Sequence, residues 1–152
     1  MYTRGESSQI KQEFWTTFGK YMSPVLSSEG LRVNWINYKT GIKDVHFRME
    51  TLAGSASVSI SIGHNDAGLR DLFFEQFLEL RLMLEEAVGE EWTWQRNIDV
   101  NGKTISRIIK ELPGTSVLNK DQWPELISFF KPRIIALDSF WENAKHSFEA
   151  LK

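Results

Sequence analysis

No cysteine occurs in the 152 residues, which removes disulfides, thiolate nucleophiles and cysteine-ligated zinc from consideration. Histidine is scarce: His46, His64 and His146 stand at no metal-type spacing from one another, and HExxH is absent. Four prolines and ten glycines form no low-complexity linker. No run reaches the ~18 apolar residues of a membrane span. Met1 to Ser8 has neither an apolar core nor a small-residue cleavage site, so it does not read as a secretory signal, and a cytoplasmic location is expected. Gly41, within Lys39–Lys43, lacks the second glycine and the following helix of a phosphate loop, and no G-x-S-x-G elbow is present. Charge is close to balance, 18 basic against 20 acidic residues for a net of −2. Bulk electrostatics therefore does not hold this chain to nucleic acid, although a local basic patch is allowed.

What the chain does have is hydrophobic patterning. Hydrophobic residues make up 41% and charged residues 25%, with six tryptophans and ten phenylalanines, so an aromatic core is expected in a single α+β domain over 1–152. Val45, Phe47 and Met49 alternate with His46, Arg48 and Glu50. After Ala53-Gly54, Ala56, Val58, Ile60 and Ile62 alternate with Ser55, Ser57, Ser59 and Ser61. Side chains on a strand point alternately to opposite faces, so this is an antiparallel pair with one oily and one wet face. Leu31–Tyr38 reads as a strand before it, and Asn101-Gly102 marks a second hairpin between Trp92–Asp99 and Thr104–Leu112. Thr115–Leu118 reads as a short edge strand, for five or six strands in the sheet.

Three helical stripes complete the pattern. Ile10, Phe14, Phe18, Met22 and Val25 form the first, capped by Ser7 or Ser8. Leu69, Leu72, Phe73, Phe77, Leu80 and Leu84 form the second, one long helix running from a cap at Asn65 or Asp66 to a stop at Gly89. From about Asp121, Phe130, Ile134, Leu137, Trp141, Ala144, Phe148 and Leu151 repeat with a seven-residue period that reads as intramolecular core, with Pro132 kinking or splitting the helix. The expected order is α-βββ-α-ββ(β)-α, with helices packed on one face of the sheet.

The wet sheet face is the leading place for a site. His46 and Arg48, Ser57 and Ser59, and Thr93, Gln95 and Asn97 would bring donors and acceptors together in rows, able to line a ligand cleft. The competing reading is a face left in water with no further role. Lys39, Lys43 and Lys103, beside Arg32, Tyr38, Arg96 and Arg107, group around the hairpins and could grip phosphates. His64 with Asn65-Asp66 at a helix mouth could hold an anion, but a plain helix cap explains the same residues. Asp71, Glu75 and Glu79, four apart, read as a solvated helix face rather than a cation site.

Phe14–Met22, Asn34–Lys43, Leu72–Phe77, Gly89–Trp94 and Phe129–Arg133 together resemble a bacterial family known only as a domain of unknown function. The resemblance spans nearly the whole chain. It implies relatives attached behind restriction-endonuclease-like domains, and it brings no catalytic residues. Such nucleases hold their metal with an acid two residues before a lysine, and no Asp-x-Lys or Glu-x-Lys occurs here. The functional expectation is a non-enzymatic interaction module, an accessory to nucleic-acid processing. The alternative is an enzyme or small-ligand binder using His46 and Arg48 on the polar sheet face. No cofactor or metal is implied. The expected partner is a protein or weakly bound nucleic acid, with the chain itself a monomer or homodimer.

Overall fold

The serine-alternating run folds as its period demands. In the computed structural model, which describes residues 2–151, β1 (Val45–Leu52) and β2 (Ser55–Ile62) pair antiparallel, with Phe47 opposite Ile60 and Arg48 opposite Ser59. Met1 and Lys152, the ends of the expected domain, lie outside the described residues. The second hairpin joins β3 (Thr93–Val100) to β4 (Lys103–Pro113) through Asn101 and Gly102, both at positive φ as a type I′ turn requires. The hairpins meet through β2 and β4, giving the strand order β1-β2-β4-β3. The described residues thus form one antiparallel sheet of four strands, not five or six.

The two missing strands have local causes. Leu31–Tyr38 forms no ladder. The Asn34 side chain accepts from the Asn37 N–H (3.1 Å) and bends the chain, while the indole of Trp35 donates to the Val25 carbonyl (2.9 Å). Residues that alternate like a strand are here the anchors of a loop. Thr115–Leu118 likewise turns: Ser116 N–H donates to Gln122 Oε1 and the Trp123 indole donates to the Val117 carbonyl.

Five helices are described, and they cover the oily face. Thr3, rather than Ser7 or Ser8, caps α1 (Arg4–Met22) by accepting from the Glu6 N–H. The expected long second helix breaks at Leu80 into α2 (Ala67–Glu79) and α3 (Arg81–Val88), capped by Asp66 and stopped by left-handed Gly89. Leu69 and Leu72, assigned to the buried stripe, are 42% and 46% exposed, whereas Arg70, Phe73, Phe74 and Phe77 are buried. The helix is therefore rotated from the expected face, because Arg70 is turned inward to Asn97 on β3 and the His64 carbonyl.

A short 3-10 turn (Lys120–Gln122) leads into α4 (Trp123–Ala144), followed by α5 (His146–Glu149). Of the expected kink or split at Pro132, the split is overturned, since the helix runs on through the proline. Pro132 and Ser128, whose carbonyl loses its donor there, are both exposed, so water can replace the missing N–H. The heptad stripe is core: Phe130, Ile134, Leu137, Trp141, Ala144 and Phe148 are all buried. Trp141 stacks on Phe77 (6.1 Å between centroids) and meets Phe47 edge-on, while Phe148 lies 4.4 Å from Phe77. Phe14 and Phe18 of α1 close a second aromatic group around Phe130. Among the described residues no helix is long and apolar enough to cross a membrane.

Candidate functional site

Because all the helices lie on one side, period-two alternation leaves the other side of the sheet polar. The register sets its rows. His46 pairs with Ser61, and Ser61 with Arg107, which lies opposite Gln95. The next row is Arg48, Ser59, Ile109 and Thr93, and the one beyond is Glu50, Ser57 and Glu111. Of these, His46, Ser61, Arg107, Arg48, Ser59 and Glu50, together with Asp44, Gly63 and the Asn101 turn, line a trough of about 320 Å³.

The trough is cationic in character. Arg48, Lys103 and Arg107 line it, against the carboxylates Asp44 and Glu50. Among the described residues none of these three cations forms an ion pair. Arg107 is oriented by Gln95, whose side-chain oxygen accepts from Nε over 2.7 Å. Lys103 passes over Gly63: a β-carbon there would stand 3.5 Å from the ammonium nitrogen, an ordinary contact distance. Asp44, at left-handed φ 64, accepts from the Gly63 N–H through its carbonyl (2.8 Å) and ends the β1–β2 ladder at the trough's edge. His46 is held below the ordinary imidazole pKa by partial burial and then by Arg48, with Lys103 acting the same way and Asp44 opposing, so it is neutral at pH 7. Ser59 and Ser61 are 3% and 4% exposed, and no side-chain hydrogen bond engages either hydroxyl among the described residues. Their oxygens line an open trough rather than a sealed core.

The expected site residues divide. His46, Arg48 and Ser59 meet in the trough, and so does Lys103, which the sequence places with the hairpin lysines. Ser57 lies one row beyond, between Glu50 and Glu111, and Gln95 acts through Arg107. Lys39 and Lys43 are exposed in the loop before β1 and do not line the trough. Asn97 leaves the polar face altogether. The pairing shifts between Gln95 and Ile98, and Asn97 sits at φ 52 with its side chain bonded to Arg70 and Asp71. Ser61 and Arg107 complete the site. Ser61 follows from the same alternation as Ser59, but the place of Arg107 requires knowing that β4, not β3, pairs with β2.

The other candidates resolve into structure. Asp66 caps α2 by accepting from the Leu69 N–H (3.0 Å), and His64 is turned inward against Phe73. Arg96 takes two of the three aligned carboxylates, Glu75 at 2.7 Å and Asp71 at 3.3 Å. Bonds from Asn97 and Arg96 hold Asp71 below the usual carboxylate pKa.

Residues 10–145 match the family described as Domain of unknown function (DUF4268). The chain belongs to that family. No curated protein and no solved structure matches it. The family carries no assigned activity, so function has to be argued from the trough.

Proposed function

We propose that this DUF4268 chain is a non-enzymatic interaction module that uses its polar sheet face to bind phosphate groups of nucleic acid, as an accessory to nucleic-acid processing. The observation that carries the reading is that Arg48, Lys103 and Arg107 line one trough and, among the described residues, have no ion-pair partners. Charged donors left open to solvent beside serine hydroxyls match phosphate oxygens, which accept hydrogen bonds and carry negative charge. The chain resembles stand-alone members of a family in which other members are attached behind restriction-endonuclease-like domains, and that association supports the same reading by analogy.

A fluorescently labelled oligonucleotide, single-stranded and duplex, tests this by anisotropy. Binding at low salt should fade with a log–log salt slope of about −2 to −3, as contacts from two or three cations imply. Reversing charge with Arg48→Glu and Lys103→Glu together should abolish it while the thermal midpoint stays within a few degrees. Retained binding in that double variant would overturn the placement.

A second reading, a small-ligand or catalytic site centred on His46, is favoured by one observation: an imidazole kept neutral beside Arg48 is available as a base. His46→Gln separates the two, since it would remove a base while leaving all three cations in place.

A further inference from the structure

We infer that the trough takes a phosphomonoester, the terminal phosphate of a strand or nucleotide, rather than a continuous phosphodiester backbone. This rests on the trough being the phosphate-binding face. Three observations converge on it. The floor is built from Ser59 and Ser61, nearly buried, with hydroxyls that no side-chain hydrogen bond engages among the described residues. A hydroxyl offers one donor and is free to rotate toward an oxygen above it. The walls supply charge from both sides: Arg48 on β1 stands opposite Ser59 and Arg107 on β4 opposite Ser61, while Lys103, four residues along β4 from Arg107, lines the end of the trough toward the Asn101 turn. Donors of this number lining one short trough suit a group with several oxygens on one phosphorus.

The third observation is what lies at the end of the band. Two residues along β1 from Arg48, about 7 Å at strand rise, stands Glu50, and Glu111 flanks the same row on β4. A backbone running along the strands would carry its next phosphate over these two carboxylates and be repelled. A terminal group puts a single phosphate beside Arg48 and Arg107, with Glu50 at the trough's rim and no second phosphate to carry past it. A phosphomonoester also brings roughly −1.5 to −2 charges and three acceptor oxygens at pH 7, where a diester brings one charge. In a trough of about 320 Å³ with three cations against two carboxylates, the compact dianion makes fuller use of the donors.

The test compares one single-stranded oligonucleotide carrying either a 5′-phosphate or a 5′-hydroxyl, with inorganic phosphate and a nucleoside monophosphate as competitors. The phosphorylated strand should bind about tenfold more tightly, as expected for added hydrogen bonds to a charged group, and both competitors should displace it. Ser59→Ala with Ser61→Ala should erase the preference. Lys103→Gln, a change at an exposed position, should reduce it in a protein that is folded by circular dichroism. Equal affinity for the two strands, or a preference that survives the double serine change, would overturn the inference and leave the nucleic-acid module standing. Binding of phosphate and nucleotide without any oligonucleotide would support the phosphomonoester site and overturn the nucleic-acid partner. If no probe binds, both readings fall.

Discussion

Arg70 of α2 donates from Nε to the side-chain oxygen of Asn97 on β3, over 2.8 Å. Its Nη1 reaches the His64 carbonyl at 2.7 Å, so one buried guanidinium ties helix, loop and edge strand together. Asn97 sits where β3 bulges, its N–H donating to Ser106 Oγ. The bulge turns Asn97 off the polar face and brings Ile98, opposite Ile105, back onto it.

Replacing Arg70 with Met keeps the aliphatic stem but leaves the Asn97 and His64 oxygens without their donor. The expected cost is about 1–3 kcal/mol, read from urea denaturation. An unchanged midpoint would mean that water replaces the guanidinium without loss.

Trp141→Ala should cost ~3–5 kcal/mol, since the side chain is buried among Phe47, Phe77 and Phe148 and its indole donates to the Thr40 carbonyl. Leu82→Ala is the control: Leu82 is 81% exposed and should change stability by no more than about 0.5 kcal/mol.

These two residues mark where sequence patterning informs and where it stops. The period-three-and-four stripe through Trp141 names most of the buried face of α4, because the side chains that fill it are apolar apart from Asp138, which is buried where it accepts from Tyr38 and the Ser28 N–H. The same logic fails on α2. A buried Arg70 is invisible to a hydrophobic pattern, since its burial depends on Asn97, 27 residues away. Leu69 and Leu72 then carry the pattern onto the exposed side. In the trough, the alternation that places His46, Arg48 and Ser59 also places Ser61. Arg107 belongs to their rows only through pairing of β2 with β4 across 40-odd residues of chain, which no local signal specifies.

Acid should weaken the fold in two windows. His46 and His64 both have lowered pKa values, chiefly from burial. Around His64 the nearby charges are Asp44 and Asp66, which raise it, and Arg70 and Lys43, which lower it. A depressed histidine means that the unfolded chain takes up its proton first as pH falls. The histidine contribution is therefore full above about 6.5 and lost as pH drops through the folded values. Glu90 acts lower. Burial would raise its carboxyl, but bonds from Arg133 and Trp92 more than offset this and hold it below the usual range. Its stabilisation is present at neutral pH and lost as pH falls through that depressed value. His64→Gln should flatten the thermal midpoint between pH 7 and 5, and Glu90→Gln should matter at pH 7 and progressively less as pH falls through the depressed carboxyl value. The opposite pattern would reverse these assignments.

Incubation with plasmid and Mg²⁺ or Mn²⁺ should give no cleavage, because the acid-x-lysine pair of restriction-type nucleases is missing from the sequence. Nicking that follows the protein through a second column would refute this.

The loop lysines and the trough cations make separable predictions about binding. Lys39 and Lys43 are exposed and lie outside the trough, whereas Lys103 lines it between Gly63 and the Asn101 turn. A cation that only adds to the general field is screened beyond about 8 Å at physiological salt, while one in direct contact with phosphate is lost outright when reversed. Lys39→Glu with Lys43→Glu should therefore weaken oligonucleotide binding mainly below physiological salt. Lys103→Glu should weaken it at every salt concentration and reduce the slope by about one. If the loop pair proves the more damaging change, the basic loop rather than the sheet face is the contact surface, and the trough's unpaired cations must serve something other than nucleic acid.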